Sequence, residues 1–179
     1  MEQGKIRHYG LSNESPWGTM KILQVCEKNG WPKPVSIQNP YNLLNRSYEV
    51  GMSEVSHREG IGLLAYSPMA FGVLSGKFLN GQKPEGARVT LFPRFARYSQ
   101  PHVDEVVAKY VQIAEQAGLT PAAMSLMFVT QQPFVTSNII GATSIQQLEE
   151  NINTAGQRLN AEVLEALDAV HLVHSNPCP

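Results

Sequence analysis

Along the 179 residues, short β-prone runs alternate with helix-forming segments, and this alternation limits the folds open to the chain more than any other feature. The first run, residues 5–11, is followed by Ser15-Pro16, an N-cap with proline at the first helical position. The helix it opens extends to about Lys28 and stops at Asn29-Gly30. Trp17, Met20, Leu23 and Cys26 recur at three-residue spacing and predict its buried stripe. The run 35–39, a loop and a helix over 48–58 repeat the unit, and the continuously apolar run 61–66 opens a third.

A connection over 67–99, rich in Gly, Pro and Arg, then separates that strand from a helix over 101–116. Thr120 caps a helix starting at Pro121, and Pro133 ends it before a strand over 136–140. Ser144 and Gln147 have capping-box spacing for a helix over 145–154, and Asn160 caps a last one over 161–173. Four β then α units in a row predict parallel strands with right-handed crossovers, an α/β class. Four strands are too few to close an eight-stranded barrel, so the sheet is open or is half of a barrel.

Composition narrows the ligand. With 42% hydrophobic and 16% charged residues the chain can fold as one domain, and 14 Lys plus Arg against 15 Asp plus Glu leave no basic stripe for nucleic acid or membrane. Apolar runs fall far short of the roughly 20 residues of a membrane helix, and the charged first residues precede no signal-type apolar stretch. A cytoplasmic location with Cys26 and Cys178 reduced is expected.

In parallel α/β folds ligands sit beyond the C-terminal ends of the strands. Those ends carry Ser12-Asn13, Gln38-Asn39, Tyr66-Ser67 and the segment from Gly141 through Thr143 to Ser144. Amides such as Asn13 and Gln38 both donate and accept, as a carboxamide ligand requires, and Tyr66 offers a flat face to a planar ring. Thr143 and Ser144 open a helix whose amides and dipole suit a phosphate. The loop bearing Arg88, Arg94 and Arg97 adds guanidinium forks for another. Each polar strand end also has an ordinary explanation in loop chemistry, so only the set as a whole is informative.

The strings GKIRHYGLSNE, IQNPYNLLNR, LLAYSPMAFGVLSGKF and NIIGATSIQQLEENI resemble, in that order, second-half motifs of the aldo-keto reductases, and the likeness runs from residue 4 to the C-terminus. The branch looks like the Tas-like bacterial enzymes. The resemblance implies a (β/α)8 barrel, here strands five to eight with their helices, that uses NADP(H) to reduce a small carbonyl substrate. By the same resemblance Ser12, Asn13 and Gln38 bind the nicotinamide carboxamide and Tyr66 stacks on its ring. Ser67, Pro68, Met69, Gly72 and Leu74 line the pyrophosphate with Lys77 nearby. Gly141, Thr143, Gln147, Glu150 and Asn151 hold the adenosine end, and Arg94 or Arg97 meets the 2′-phosphate. The family's catalytic Asp, Tyr, Lys and His belong to its first four strand ends, so no catalytic residue and no metal ligand is assigned, and His8 and Tyr9 are read as lying inside the first strand. The chain alone is expected to be inactive unless an N-terminal half completes it. The other readings are an inert nucleotide-binding or interaction module and a fragment with no autonomous role. Two open sheet edges further predict self-association.

Overall fold

The computed structural model describes residues 1–100 and 102–179, with the side chains of residues 93, 94 and 96 outside that description. Its frame is one sheet of four parallel strands in the order β1 (Gly10–Ser12), β2 (Ser36–Pro40), β3 (Gly62–Tyr66) and β4 (Val135–Ile139). The order matches the sequence, so every crossover joins nearest neighbours, as the alternation predicts. The fold is an α/β fold with a parallel sheet, consistent with part of a (β/α)8 barrel.

Seven helices connect and cover the strands among the described residues: α1 (Pro16–Asn29), α2 (Met52–Glu59), α3 (Arg88–Leu91), α4 (Val103–Gln116), α5 (Pro121–Thr130), α6 (Ile145–Asn153) and α7 (Ala161–Val173). Their starts follow local chemistry. The side-chain oxygens of Ser15, Thr120, Ser144 and Asn160 accept from Gly18, Ala123, Gln147 and Val163 amides, leaving fewer orphan donors in the first turns. Gly30 closes α1 at φ 66°, a left-handed position that favours glycine.

The two faces of the sheet differ. Ile37, Leu63 and Ala65 point into a core completed by Tyr110 of α4 and by Met124, Met127 and Phe128 of α5, all buried. The opposite face presents Gly10, Ser12, Ser36, Gln38, Leu64, Tyr66 and Ser137, exposed or half-buried. Parallel sheets are ordinarily covered on both sides, so this uncovered face, mixed in polarity with Leu64, Tyr66 and Ile139 among the polar residues, is consistent with part of a barrel interior. Near the start of β3 that face closes on itself. A Cβ on Gly62 would collide with Thr136 Oγ1, at the register shift between β3 and β4, so only glycine fits.

The loop between β2 and α2 is itself core. Tyr41, Asn42, Leu43 and Leu44 are fully buried, and a buried loop must satisfy its polar groups internally. Asn42 and Asn45 exchange backbone hydrogen bonds, Tyr110 donates to the Leu43 carbonyl, and the Cys178 amide donates to the Leu44 carbonyl. Arg46 reaches Glu49 and Asp168 of α7, both at 2.7 Å, and lies over the Phe128 ring. The tail and last helix thereby clasp this loop.

Several expectations are corrected. The first strand spans Gly10–Ser12 rather than 5–11, because Lys5, Arg7 and His8 give an edge segment no apolar face to bury; His8 and Tyr9 precede the strand. The helix expected over 48–58 is a short 3-10 turn, Ser47–Val50, then α2, broken at Gly51. Trp17, in the first turn of α1 and expected in its buried stripe, is 76% exposed, and the buried residues of the helix, Thr19, Leu23 and Cys26, begin past that turn's start. The connection over 67–99 is a string of short helical turns around α3 rather than open loop. Pro101, the expected start of α4, lies outside the described residues. Cys26 and Cys178 are free and buried, with burial pushing the Cys178 thiol up to about 11. Among the described residues no helix is long and apolar enough to cross a membrane.

Ile37→Ala should lower unfolding free energy by roughly 2–5 kcal/mol, the usual cost of a large-to-small core change. Gln38→Ala, one residue on and facing the open side, should change it by about 0.5 kcal/mol or less, as read by urea denaturation.

Candidate functional site

Parallel pairing places all four C-terminal strand ends on one rim. Ser12 pairs with Gln38, Pro40 with Tyr66, and Tyr66 with Ile139, so the polar residue after each strand emerges beside the next. The Asn13 amide donates to the Gln38 carbonyl at 3.0 Å, and the Tyr66 hydroxyl donates to Asn13 Oδ1 at 2.6 Å. Asn13 Nδ2 lies 3.2 Å from Ser12 Oγ. The side chains of Ser12, Asn13 and Tyr66 are therefore joined into one amide and hydroxyl cluster, to which Gln38 is tied through its backbone carbonyl. Asn13 takes φ 54°, a left-handed angle that asparagine tolerates better than most residues, and this turns its side chain back over the sheet toward Tyr66.

The loop that holds Asn13 is fixed from behind. Asn39 faces the opposite side of β2 from Gln38, and its Nδ2 donates to the Glu14 carbonyl at 3.1 Å. Glu14 folds over the start of α1, where its carboxylate accepts from the Ser15 amide; Gly18 leaves room, since a Cβ there would collide with Glu14 Oε1.

After β3 the backbone is strained. Ser67, Ala70, Phe71 and Gly72 all take positive φ, from 48° to 92°. The three non-glycine residues among them cost of order 1–3 kcal/mol each, and such angles persist only where the surroundings impose them. The Lys77 side chain lies against Gly72, 3.3 Å from where a Cβ would stand. Met69 is half-buried, whereas the Pro68 and Leu74 side chains are buried, so these two can offer a ligand only backbone.

At the fourth rim position Thr143, from both its amide and its hydroxyl, donates to Gln147 Oε1 at 3.0 and 3.1 Å. Asn151 Nδ2 donates to the Gly141 carbonyl at 3.4 Å, and Glu150 accepts from Gln146. Half of the capping box expected between Ser144 and Gln147 forms, the Gln147 amide donating to Ser144 Oγ at 3.2 Å, while the Gln147 side chain reaches the Thr143 amide rather than that of Ser144. Gln147 Oε1 thus occupies the Thr143 amide and hydroxyl at the start of α6.

The arginines of the connection divide. Arg88, at the start of α3, lies over the Phe95 ring, 5.4 Å from its centroid, and Phe95 meets Phe71 of the strained turn edge-on. Arg97 is exposed and borders a cavity of about 380 Å³ with Asn13, Glu14, Asn39 and Asn45, at the opposite end of the rim from α6. The Arg94 side chain lies outside the described residues. A larger cavity, about 640 Å³, opens among Glu49, His57, Gly60, Gly62 and Thr136, at the N-terminal ends of β3 and β4. Size alone would favour it, but the polar strand ends converge elsewhere.

Residues 1–171 match the model of the aldo/keto reductase family. The chain belongs to the aldo/keto reductase family. It is 53% identical to protein tas of Escherichia coli K12 over 176 residues, covering 98% of this chain and 51% of that protein. It is 40% identical to an aldo-keto reductase of Babesia bovis over 159 residues, 86% of this chain and 56% of the relative. With L-glyceraldehyde 3-phosphate reductase of E. coli K12 the identity is 33% over 161 residues, 85% and 45% of the two chains. The chain spans about half the length of these curated relatives. For an aldo/keto reductase chain the rim cluster is the natural candidate site. Asn39 and Arg88 both stand in segments the sequence points to; strand alternation sends Asn39 to the opposite face from Gln38, and nothing local singles out Arg88 among the arginines of its loop.

Asn13→Gly should be more stable than Asn13→Ala by about 1 kcal/mol in urea unfolding, because alanine is strained at the left-handed angle and glycine is not. The reverse order would show that the angle is not imposed.

Proposed function

We propose that this chain is the NADP(H)-binding portion of an aldo/keto reductase, corresponding to barrel strands five to eight. The observation that carries the reading is the hydrogen-bonded cluster of Asn13, Gln38 and Tyr66 on three consecutive strand ends of a chain in this family. Ser12, Asn13 and Gln38 would hold the nicotinamide carboxamide, with Tyr66 against the ring. The strained turn from Ser67 to Lys77 would face the pyrophosphate through its backbone and the Lys77 ammonium. Gly141, Thr143, Gln147, Glu150 and Asn151 would surround the adenosine end. Arg88 joins Arg94 as a candidate partner for the 2′-phosphate, whereas Arg97, beside Asn13 at the other end of the rim from α6, is less well placed for it.

When bound, the cofactor supplies hydride to a small carbonyl compound. The residues of this chain bind and orient; they keep the carboxamide in register through paired donors and acceptors and exclude water with the Tyr66 ring. Protonation of the carbonyl oxygen would fall to residues outside this chain, from a complementary half barrel. The alternative of an inert nucleotide-binding module makes the same contacts and differs only in lacking that partner.

Fluorescence titration should show NADPH bound by the chain, and Arg88→Ala should weaken NADPH roughly tenfold more than NADH, the cost of one charge-assisted contact. NADPH mixed with 4-nitrobenzaldehyde and the chain should be oxidised at no more than the uncatalysed rate. Robust oxidation would overturn the assignment of proton donation to another half.

Open edges at β1 and β4 would pair with a complementary half or with a second copy. Ile145, Leu148 and Ile152 of α6 and Trp17 of α1, the helices that follow β4 and β1 in the chain, are exposed. Light scattering should find a species larger than 19.7 kDa that Leu148→Glu dissociates; a monodisperse monomer at high concentration would contradict this.

A further inference from the structure

Asn42 lies in the buried loop that follows the C-terminal end of β2, beneath the rim, and its carboxamide touches two further segments, the turn after β3 and the end of the arginine-bearing connection. Nδ2 donates to the Ser67 carbonyl at 2.9 Å and to the Tyr98 hydroxyl at 3.2 Å, while Oδ1 accepts from the Leu44 amide at 2.9 Å. Both protons and one lone pair are thus used, and the side chain is fully buried. Ser67 is the first residue of the strained turn after β3, and its carbonyl also receives the Ala70 amide. Tyr98 closes the arginine-bearing connection and is fully buried. Its ring meets Phe71 of the same turn edge-on, and the Arg97 guanidinium lies 5.6 Å from the ring centroid. Sequence reasoning gives Asn42 no role beyond the loop.

We infer that Asn42 is a positioning residue that couples the turn at 67–76 to the connection at 88–98, so that a dinucleotide seated against one orders the other. The inference rests on the cofactor reading above for its ligand, and on the hydrogen bonds alone for the coupling. A carboxamide suits this bridging role because it is uncharged, so it can be buried with its bonds made, and its two N–H groups diverge toward two acceptors. No hydrophobic residue of similar size offers that bridge, and aspartate keeps the bond from Leu44 while setting an oxygen against the Ser67 carbonyl.

The coupling can be tested by amide hydrogen exchange on the full chain, with and without NADPH, for wild type, Asn42→Asp and Tyr98→Phe. In the wild type NADPH should slow exchange in both segments. In Asn42→Asp affinity should fall roughly tenfold, as for loss of a buried hydrogen bond, and protection at saturating NADPH should reach 67–76 without reaching 88–98. Tyr98→Phe, which keeps the Ser67 arm and the ring, should lose protection in 88–98 only. A merely structural role would lower the melting temperature and raise exchange throughout without separating the segments. Coupling is overturned if Asn42→Asp binds within about twofold of wild type with both segments protected, or if the two segments lose protection equally. If the wild type binds no NADPH, the cofactor reading fails. Exchange in the ligand-free chain then decides Asn42: acceleration confined to the two segments supports the bridge, and uniform or absent acceleration overturns it.

Discussion

Parallel pairing in sequence order is the constraint on which the rest of this structure depends. Because β1 to β4 run the same way with neighbours in register, every strand delivers its last side chains to one rim and every following helix starts there. An antiparallel arrangement of the same strands would scatter Asn13, Gln38, Tyr66 and Thr143 between two ends. The ladder therefore does the gathering, and local chemistry only has to aim what has been gathered: a left-handed Asn13, a run of positive φ after β3, a capped start for α6.

The second organising element is the buried loop from Tyr41 to Arg46. It takes the place of an apolar plug under the rim, and it is tolerable there because most of its polar groups are met by one another, by Tyr110, by the tail and by the carboxylates around Arg46, the buried Asn45 Nδ2 being left without a partner among the described residues. Burial and the neighbouring Glu49 carboxylate push the Tyr41 phenol upward, and burial raises that of Tyr110 to about 12, so both stay neutral donors. Strain in the turn after β3 can persist because this loop and the connection ending at Tyr98 hold it from two sides.

Much of this is legible in the sequence. The strand and helix alternation implies the parallel class, and Ser15, Thr120, Ser144 and Asn160 mark helix starts that the hydrogen bonds bear out. The polar residues after each apolar run locate the rim. What cannot be read has physical causes. The first strand is short because charge, rather than propensity, governs an edge, and helical spacing does not say which positions of a face have a neighbour to pack on, so Trp17 is exposed while Leu23 and Cys26 are buried. The short helical turns within 67–99 depend on tertiary contacts such as the Phe71, Phe95 and Tyr98 rings, which no local pattern encodes. Nor does spacing reveal that Arg88 is tied through the Phe95 ring to the strained turn.

On this account one dinucleotide spans the rim formed by all four strand ends. Its most direct test is an NMR titration of the chain with NADPH, following backbone amides. The account predicts that Ser12, Asn13, Gln38, Ser67 and Thr143 shift together along one binding curve. Shifts confined to Glu49, His57 and Thr136, around the cavity at the other end of the strands, or no shifts at all, would contradict it.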